Sequence, residues 1–168
     1  DADGMQVMEP VSGRVPKLAF VTPSHQYPLG PIMSLSRRLA LLEVARRHRF
    51  WLVEDDYDSE FRFSGQPIPS LQGLVSEAPV IYVGTFSKTL YPGLRTAYMV
   101  LPPTLVDQLG AAQMELYRGG HLLTQAALAE FIDSGHYAAH IRRMRLIYGQ
   151  RRARLVELVT NAFGAEWI

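Results

Sequence analysis

The apolar positions of this chain fall into two periods, and the change from one to the other divides it. Up to about residue 103 they come as short runs bounded by turn formers. Lys17 to Val21 ends in Thr22-Pro23 and predicts a buried strand with a stop. Phe50 to Val53 predicts a second strand, running into Glu54-Asp55-Asp56-Tyr57. Val80 to Gly84 predicts a third, and Ala97 to Leu101, stopped by Pro102-Pro103, a fourth. Between the first two, Ser34 is placed as an N-cap. Leu35, Leu39, Leu42 and Ala45, with Arg37, Arg38, Arg46 and Arg47 between them, then give a helical period over about 35–48.

Turn formers mark the rest of this part as loop. Asp3-Gly4, Pro10, Ser12-Gly13 and Pro16 predict an irregular start, and Pro28, Gly30 and Pro31 a loop over 24–33. Ser64-Gly65, Pro67, Pro69, Gly73 and Pro79 make 58–79 loop-rich. After 103 the pattern is helical in three segments, 104–117, 121–134 and 136–163, broken at Gly119-Gly120 and Ser134-Gly135. Strand, helix, strand and further buried strands are the pattern of an α/β sheet covered on both faces.

Composition narrows the class without naming a function. The 168 residues are 48% hydrophobic and 20% charged, as expected of a globular chain with one ordinary core. A net charge of +1 argues neither for nor against a polyanionic partner. The absence of cysteine excludes disulfides and thiolate metal sites. No apolar run reaches membrane-spanning length, and residues 1–5 lack the regions of a signal peptide, so a cytoplasmic protein is expected. Both ends look cut, which predicts a piece of a longer protein.

Candidate chemistry gathers where the predicted strands end. Ligands of open α/β sheets sit beyond the carboxyl ends of the strands. Three strands end in reactive residues: Thr22-Pro23-Ser24-His25, Asp55-Asp56-Tyr57, and Thr85-Phe86-Ser87-Lys88. If the second strand continues, Asp55 and Tyr57 share a face and Asp56 points the other way. A lysine can form a Schiff base with a carbonyl cofactor. A buried carboxylate can keep a pyridine nitrogen protonated, and a phenol can hydrogen-bond a ring oxygen. Hydroxyls and Arg95 can hold a phosphate. Other readings stand beside this one. Lys88 can be a solvated surface lysine. Gly84 through Thr89 can be a shortened nucleotide phosphate loop, although Ser87 stands where such a loop needs glycine. Asp55 and Asp56 can be a metal pair with His25. His136 and His140 share a helix face, and the arginines 142, 143, 145, 151, 152 and 154 form either a solvated face or a nucleic-acid surface. The apolar stripe of Ile141, Met144, Ile147, Leu155 and Leu158 favours a packed helix.

The run Thr22-Pro23-Ser24-His25-Gln26-Tyr27-Pro28-Leu29-Gly30, then Glu54-Asp55-Asp56-Tyr57-Asp58-Ser59-Glu60-Phe61-Arg62 and Gly84-Thr85-Phe86-Ser87-Lys88, followed by Pro92-Gly93-Leu94-Arg95, resembles the large domain of fold-type I pyridoxal-phosphate aminotransferases. With Ser134 to Arg145, Tyr148 and Arg151-Arg152, it resembles more narrowly the aminotransferase-like domain of MocR-type transcription regulators. The resemblance implies an α/β fold: a partial large domain over 1–135 with a mostly parallel sheet covered by helices, and a linking helix over 136–168 toward a small domain. It implies that the fourth strand is antiparallel. It also implies pyridoxal 5'-phosphate as cofactor, with Lys88 as the lysine that binds it covalently, Asp55 on the pyridine nitrogen and Tyr57 on the ring hydroxyl oxygen. Arg95, Thr85 and Ser87 would hold the phosphate. The usual ring-oxygen asparagine is absent from Gln26-Tyr27-Pro28-Leu29-Gly30, a departure that favours the regulator branch.

The function this implies is an effector domain that senses an amine or amino acid by exchange at Lys88. It would work within a homodimer and meet DNA only through a separate winged-helix domain. The alternative is a stand-alone aminotransferase moving an amino group between an amino acid and a 2-oxo acid, with Lys88 as its acid and base.

Overall fold

The structure is a computed structural model, and it describes residues 1–11, 14–63, 66 and 68–167. The turn signals at Ser12-Gly13, Ser64-Gly65 and Pro67 lie outside the described residues.

Four strands form one sheet in the order β1-β2-β3-β4. They are β1 (Leu18–Val21), β2 (Trp51–Asp56), β3 (Val80–Thr85) and β4 (Ala97–Val100). The first three run parallel, and β4 runs antiparallel to β3. Their carboxyl ends therefore share one edge. Pairing sets Val21 beside Glu54, Asp55 beside Val83, and Thr85 beside Ala97. Each expected strand is present: β1, β3 and β4 match within one residue, and β2 runs on three residues past Val53 into the acidic run.

The chain divides into two compact units, Asp1–Ser59 with Gln66–Leu122, and Glu60–Gly65 with Leu123–Ile168. The first holds the sheet. Its core joins Val21, Leu52 and Val80 to Leu41, Leu42 and Ala45 of α1 (Leu35–His48) and to Leu71 of the short α2 (Leu71–Leu74). Each large apolar side chain buried there contributes about 1.5–3 kcal/mol. Leu18 and Phe20, on the other face of β1, are exposed.

Helix α1 starts where the sequence places it. Ser34 is extended and its side chain accepts from Arg37 N–H. The inward face differs from the expected stripe. Leu35 and Leu39 are exposed, whereas Arg38, Leu41, Leu42, Val44 and Ala45 are buried. The rotation is possible because Arg38 meets partners inside. Its Nε, Nη1 and Nη2 donate to the carbonyls of Met33 (3.0 Å), Pro69 (3.1 Å) and Pro23 (2.8 Å). Glu54 Oε1 lies 3.8 Å from Nη1. Glu54 in turn accepts from Leu71 N–H (2.9 Å) and Gln72 N–H (3.1 Å), which fixes the start of α2. Burial pushes the Glu54 carboxyl up, while these two amides and Arg38 pull it back. Two short helices interrupt the expected loop over 58–79, α2 and a 3₁₀ turn at Ser59–Phe61.

Two more elements of this unit are α3 (Phe86–Thr89), which follows β3 directly, and α4 (Val106–Tyr117). Gly84 of β3 lies under the ring of Tyr98 on β4, where a Cβ would overlap that ring. The same ring packs against Tyr82 and Phe86, with centroids 6.1 Å and 5.3 Å apart.

The second unit holds residues 60–65, most of α5 (Leu122–Asp133), and α6 (His136–Phe163). Tyr148 meets Phe61 edge-on at 5.0 Å, and Arg145 Nε donates to the Glu60 carbonyl at 2.5 Å. The expected stripe of α6 is only partly covered. Ile141 is buried and Met144 and Ile147 are half-buried, but Leu155 and Leu158 are exposed. His136 lies over the Phe131 ring at 5.8 Å. Among the described residues no helix is long and apolar enough to cross a membrane.

Candidate functional site

The carboxyl edge of β1–β3 collects the chemistry. On β2 the pleat separates consecutive carboxylates. Glu54 and Asp56 share the face of their partners Tyr82 and Gly84, and Asp55 lies on the other. Asp56 is saturated: it accepts from Tyr82 Oη (2.8 Å), Ser59 Oγ (2.6 Å) and Ser59 N–H (3.3 Å). Burial and the bond to Asp56 push the Tyr82 phenol far up. Asp55 has no such partners: among the described residues no hydrogen bond or ion pair reaches its carboxylate. Desolvation, then the charge of Asp56, raise its pKa above 3.8.

Asp55 lines a cavity of about 510 Å³ together with Phe20, Thr22, Gln26, Tyr27 and Leu29. The lining comes from the loop after β1, which is built from inside. Gln26 N–H donates to the Pro31 carbonyl (2.9 Å), Gly30 N–H to the Gln26 carbonyl (2.7 Å), and Tyr27 N–H to Thr22 Oγ1 (3.2 Å). The Tyr27-Pro28 peptide is cis. In the segment that lacks the asparagine, Gln26 spends its side-chain oxygen on Met5 N–H (2.7 Å). Tyr27 stands 81% exposed at the cavity.

Tyr57 departs from the simple strand reading. β2 stops at Asp56, so Tyr57 is not on a pleat with Asp55. Its hydroxyl donates to the backbone carbonyl of His25 (2.9 Å), and desolvation, then Asp58 and Asp55, raise its pKa. The next residue also reaches His25: Asp58 Oδ1 lies 2.7 Å from the imidazole Nδ1. In the sequence Asp58 stands out only as part of the acidic motif, with no role of its own. Its one signal was a third carboxylate just past the strand, in Asp55-Asp56-Tyr57-Asp58.

The lysine segment is a helical turn rather than a strand end. Thr85 caps α3, its side chain accepting from Ser87 N–H (3.1 Å), and its own O–H proton stays available to donate. Lys88 sits in α3 and is exposed; Ser87 is half-buried. Arg95 is exposed and has a left-handed backbone (φ 49°) after the 3₁₀ turn Pro92–Leu94. Tyr57, Thr85, Ser87, Lys88 and Arg95 do not line the cavity that Asp55 lines. Strand pairing thus brings Asp55 beside the strand that delivers Thr85, while Lys88 and Arg95 follow on exposed turns. Among the described residues no group of three or more His, Cys, Asp or Glu side chains could hold a metal ion.

A family described as "Aminotransferase class I and II" matches residues 6–168. The chain is 48% identical over 153 residues to the probable rhizopine catabolism regulatory protein MocR of Rhizobium meliloti, covering 91% of this chain and 31% of that one. It is 45% identical over 165 residues to the uncharacterized HTH-type transcriptional regulator YdeL of Bacillus subtilis, covering 98% and 35%. Among solved structures, Pyrococcus horikoshii kynurenine aminotransferase in complex with PMP superposes with a TM-score of 0.79 at 35% identity, over 85% of this chain and 35% of that one. The chain spans about a third of the length of these relatives.

Proposed function

The chain belongs to the aminotransferase class I and II family, and from this premise we propose that it is the pyridoxal 5'-phosphate-binding part of a MocR-type transcription regulator, sensing an amine or amino acid at Lys88. The observation that carries this reading is the placement of the lysines. The chain has two, Lys17 and Lys88. Lys17 immediately precedes β1, at the amino edge of the parallel strands, and Lys88 follows β3 at the carboxyl edge, where Asp55 lies. Ligands of such sheets sit at the carboxyl edge.

The side chains there suit the cofactor. A half-buried carboxylate with raised pKa and no partner suits a ring N–H, and hydroxyls with an arginine suit a phosphate. When bound, the cofactor supplies an aldehyde carbon that condenses with primary amines and a ring that draws off electron density. Asp55 would hold the proton of the ring nitrogen. Lys88 Nζ would be the attachment point and would yield its place to an incoming amine. Thr85 and Ser87 would donate to the phosphate, and Arg95 would neutralise it. In this reading residues 136–168 begin the helix that leads toward the small domain. DNA would be met through a separate winged-helix domain, and the working unit would be a homodimer in the cytoplasm.

An enzymatic reading, in which Lys88 moves protons in amino-group transfer, is favoured by the 35% identity to the kynurenine aminotransferase. The regulator is preferred on the 48% identity to MocR, together with the missing ring-oxygen asparagine. The test uses the full-length parent protein. It is loaded with pyridoxal 5'-phosphate, reduced with borohydride and digested, and the modified peptide is mapped. Label at Lys88 is expected; label at another lysine, or none, overturns the reading. Catalytic turnover of an amino acid with a 2-oxo acid would move the assignment to the enzyme.

A further inference from the structure

The chain leaves the first compact unit directly after Ser59 and re-enters it at Gln66. This exit is gripped on its near side by the sheet. Ser59 gives its Oγ proton (2.6 Å) and its N–H (3.3 Å) to Asp56, the last residue of β2 and the neighbour of Asp55. On its far side the exit is gripped by α6. Arg145 Nε donates to the Glu60 carbonyl (2.5 Å), and the Tyr148 ring meets the Phe61 ring edge-on at 5.0 Å. Phe63 follows onto the same helix: a Cβ on Gly149 would stand 4.0 Å from its Cδ1. Positions 145, 148 and 149 share one face of a helix, so α6 receives the departing chain in order. Between the two grips lies the single peptide bond from Ser59 to Glu60, which leaves no slack. Helix α6 has little else within this chain to hold it, because Ile141 alone of its 28 residues is buried. A helix with so few buried contacts opens locally with ease, and each contact it does make weighs on that opening.

We propose that the Ser59–Glu60 exit is a joint that couples the cofactor edge to α6, with Phe61 and Arg145 as its coupling residues. Whatever holds Asp55 and the end of β2 still also holds Glu60 and Phe61, and through them the turn of α6 that carries Arg145 and Tyr148. Linkage makes the effect reciprocal: a ligand that steadies α6 by some factor is bound tighter by the same factor when α6 is held. The inference rests on the reading of the carboxyl edge as the cofactor site, and adds what binding there does to a helix that contributes no side chain to it.

The experiment is amide hydrogen exchange of the full-length protein with and without pyridoxal 5'-phosphate, read by mass spectrometry. It compares wild type with Phe61→Ala, Arg145→Ala and Tyr148→Phe. In wild type the cofactor is expected to slow exchange about fivefold or more, both in β2 and in residues 141–152 of α6, the lower range of coupling between sites. In Phe61→Ala and Arg145→Ala, attachment at Lys88 and the slowing in β2 persist, while the slowing in α6 falls below about twofold. Tyr148→Phe keeps the ring edge and behaves as wild type. Arg145 is exposed, so Arg145→Ala keeps the cofactor-free thermal midpoint within about 2 °C and carries the test even where Phe61→Ala fails to fold. A wild-type α6 that does not respond to cofactor overturns the inference. So does a response in α6 that survives either alanine variant, a response lost in Tyr148→Phe, or a larger fall in the Arg145→Ala midpoint. Wild-type protein that attaches cofactor at Lys88 with an unresponsive α6 sinks this inference alone. Wild-type protein that attaches none sinks the site reading and this inference together.

Discussion

Arg38 and Glu54 face each other 3.8 Å apart with side chains 1% and 0% exposed, yet the guanidinium gives three hydrogen bonds to backbone carbonyls. The pair is thus a node in a backbone network more than an ion pair. Its contacts join the loop before α1, the segment before α2, and the strand that carries Asp55.

This distinction sets the first prediction. Removing one partner of a buried pair, as in Glu54→Leu, should cost about 3–5 kcal/mol, read from urea unfolding of the full-length protein. Replacing both partners of many buried pairs with apolar residues restores stability. Here Arg38→Met with Glu54→Leu should not, because three carbonyls and two amides lose their partners. Recovery to wild-type stability would show that the charge pairing alone mattered.

Asp55→Asn should raise the thermal midpoint of the cofactor-free protein at pH 7. The sign follows from the raised pKa. The folded state holds the Asp55 proton more tightly than the unfolded state, so wild-type stability falls as pH rises from 3.8 through the folded value. Asparagine removes that fall. The gain should vanish below pH 3.8, where both states of the wild type are protonated. The same variant should lose pyridoxal 5'-phosphate binding, the usual trade of stability for a functional group. A gain that persists unchanged at pH 3 would assign it to something other than the carboxylate charge.

Gly84→Ala should destabilise by about 1–3 kcal/mol, because its Cβ lands on the Tyr98 ring between β3 and β4. In a Tyr98→Ala background the same change should cost less than about 0.5 kcal/mol, within the scatter expected of independent sites. An equal cost in both backgrounds, measured by chemical denaturation, would remove the steric account.

Arg95 holds a left-handed backbone that glycine adopts freely. Arg95→Gly should therefore leave cofactor-free stability within about 1 kcal/mol of wild type, relief of strain offsetting the looser unfolded chain. It should weaken pyridoxal 5'-phosphate binding by about tenfold or more through loss of the cation. Unchanged affinity by fluorescence titration would exclude Arg95 from the phosphate site.

Much of this architecture was legible in the chain. Parallel strands buried on the core side must be short apolar runs, so β1 to β3 announced themselves; the exposed antiparallel β4 showed as an apolar run stopped by Pro102-Pro103, and Ser34 announced α1 through its capping chemistry. The side chains were legible where a local rule governs them, as with the opposite facing of Asp55 and Asp56. The misses share one cause. Arg38 read only as a polar position between the apolar ones, because its partners lie at 23, 33, 54 and 69 and no window along the helix contains them. His25 and Asp58 are 33 residues apart and meet only through the parallel pairing of β1 with β2. The α3 turn was missed because four residues are too few to show a period.

The pleat of β2 has a consequence for how this site tolerates change. Two neighbouring aspartates are chemically identical, yet one is locked by three donors and the other is left open toward the cavity. Nothing but odd or even position on the strand decides which is which. One residue gained or lost inside β2 would exchange them, sending the satisfied carboxylate into the cavity and the bare one into the interior. Point substitutions can tune this edge by degrees, but its length is a parity, and parity has no intermediate values.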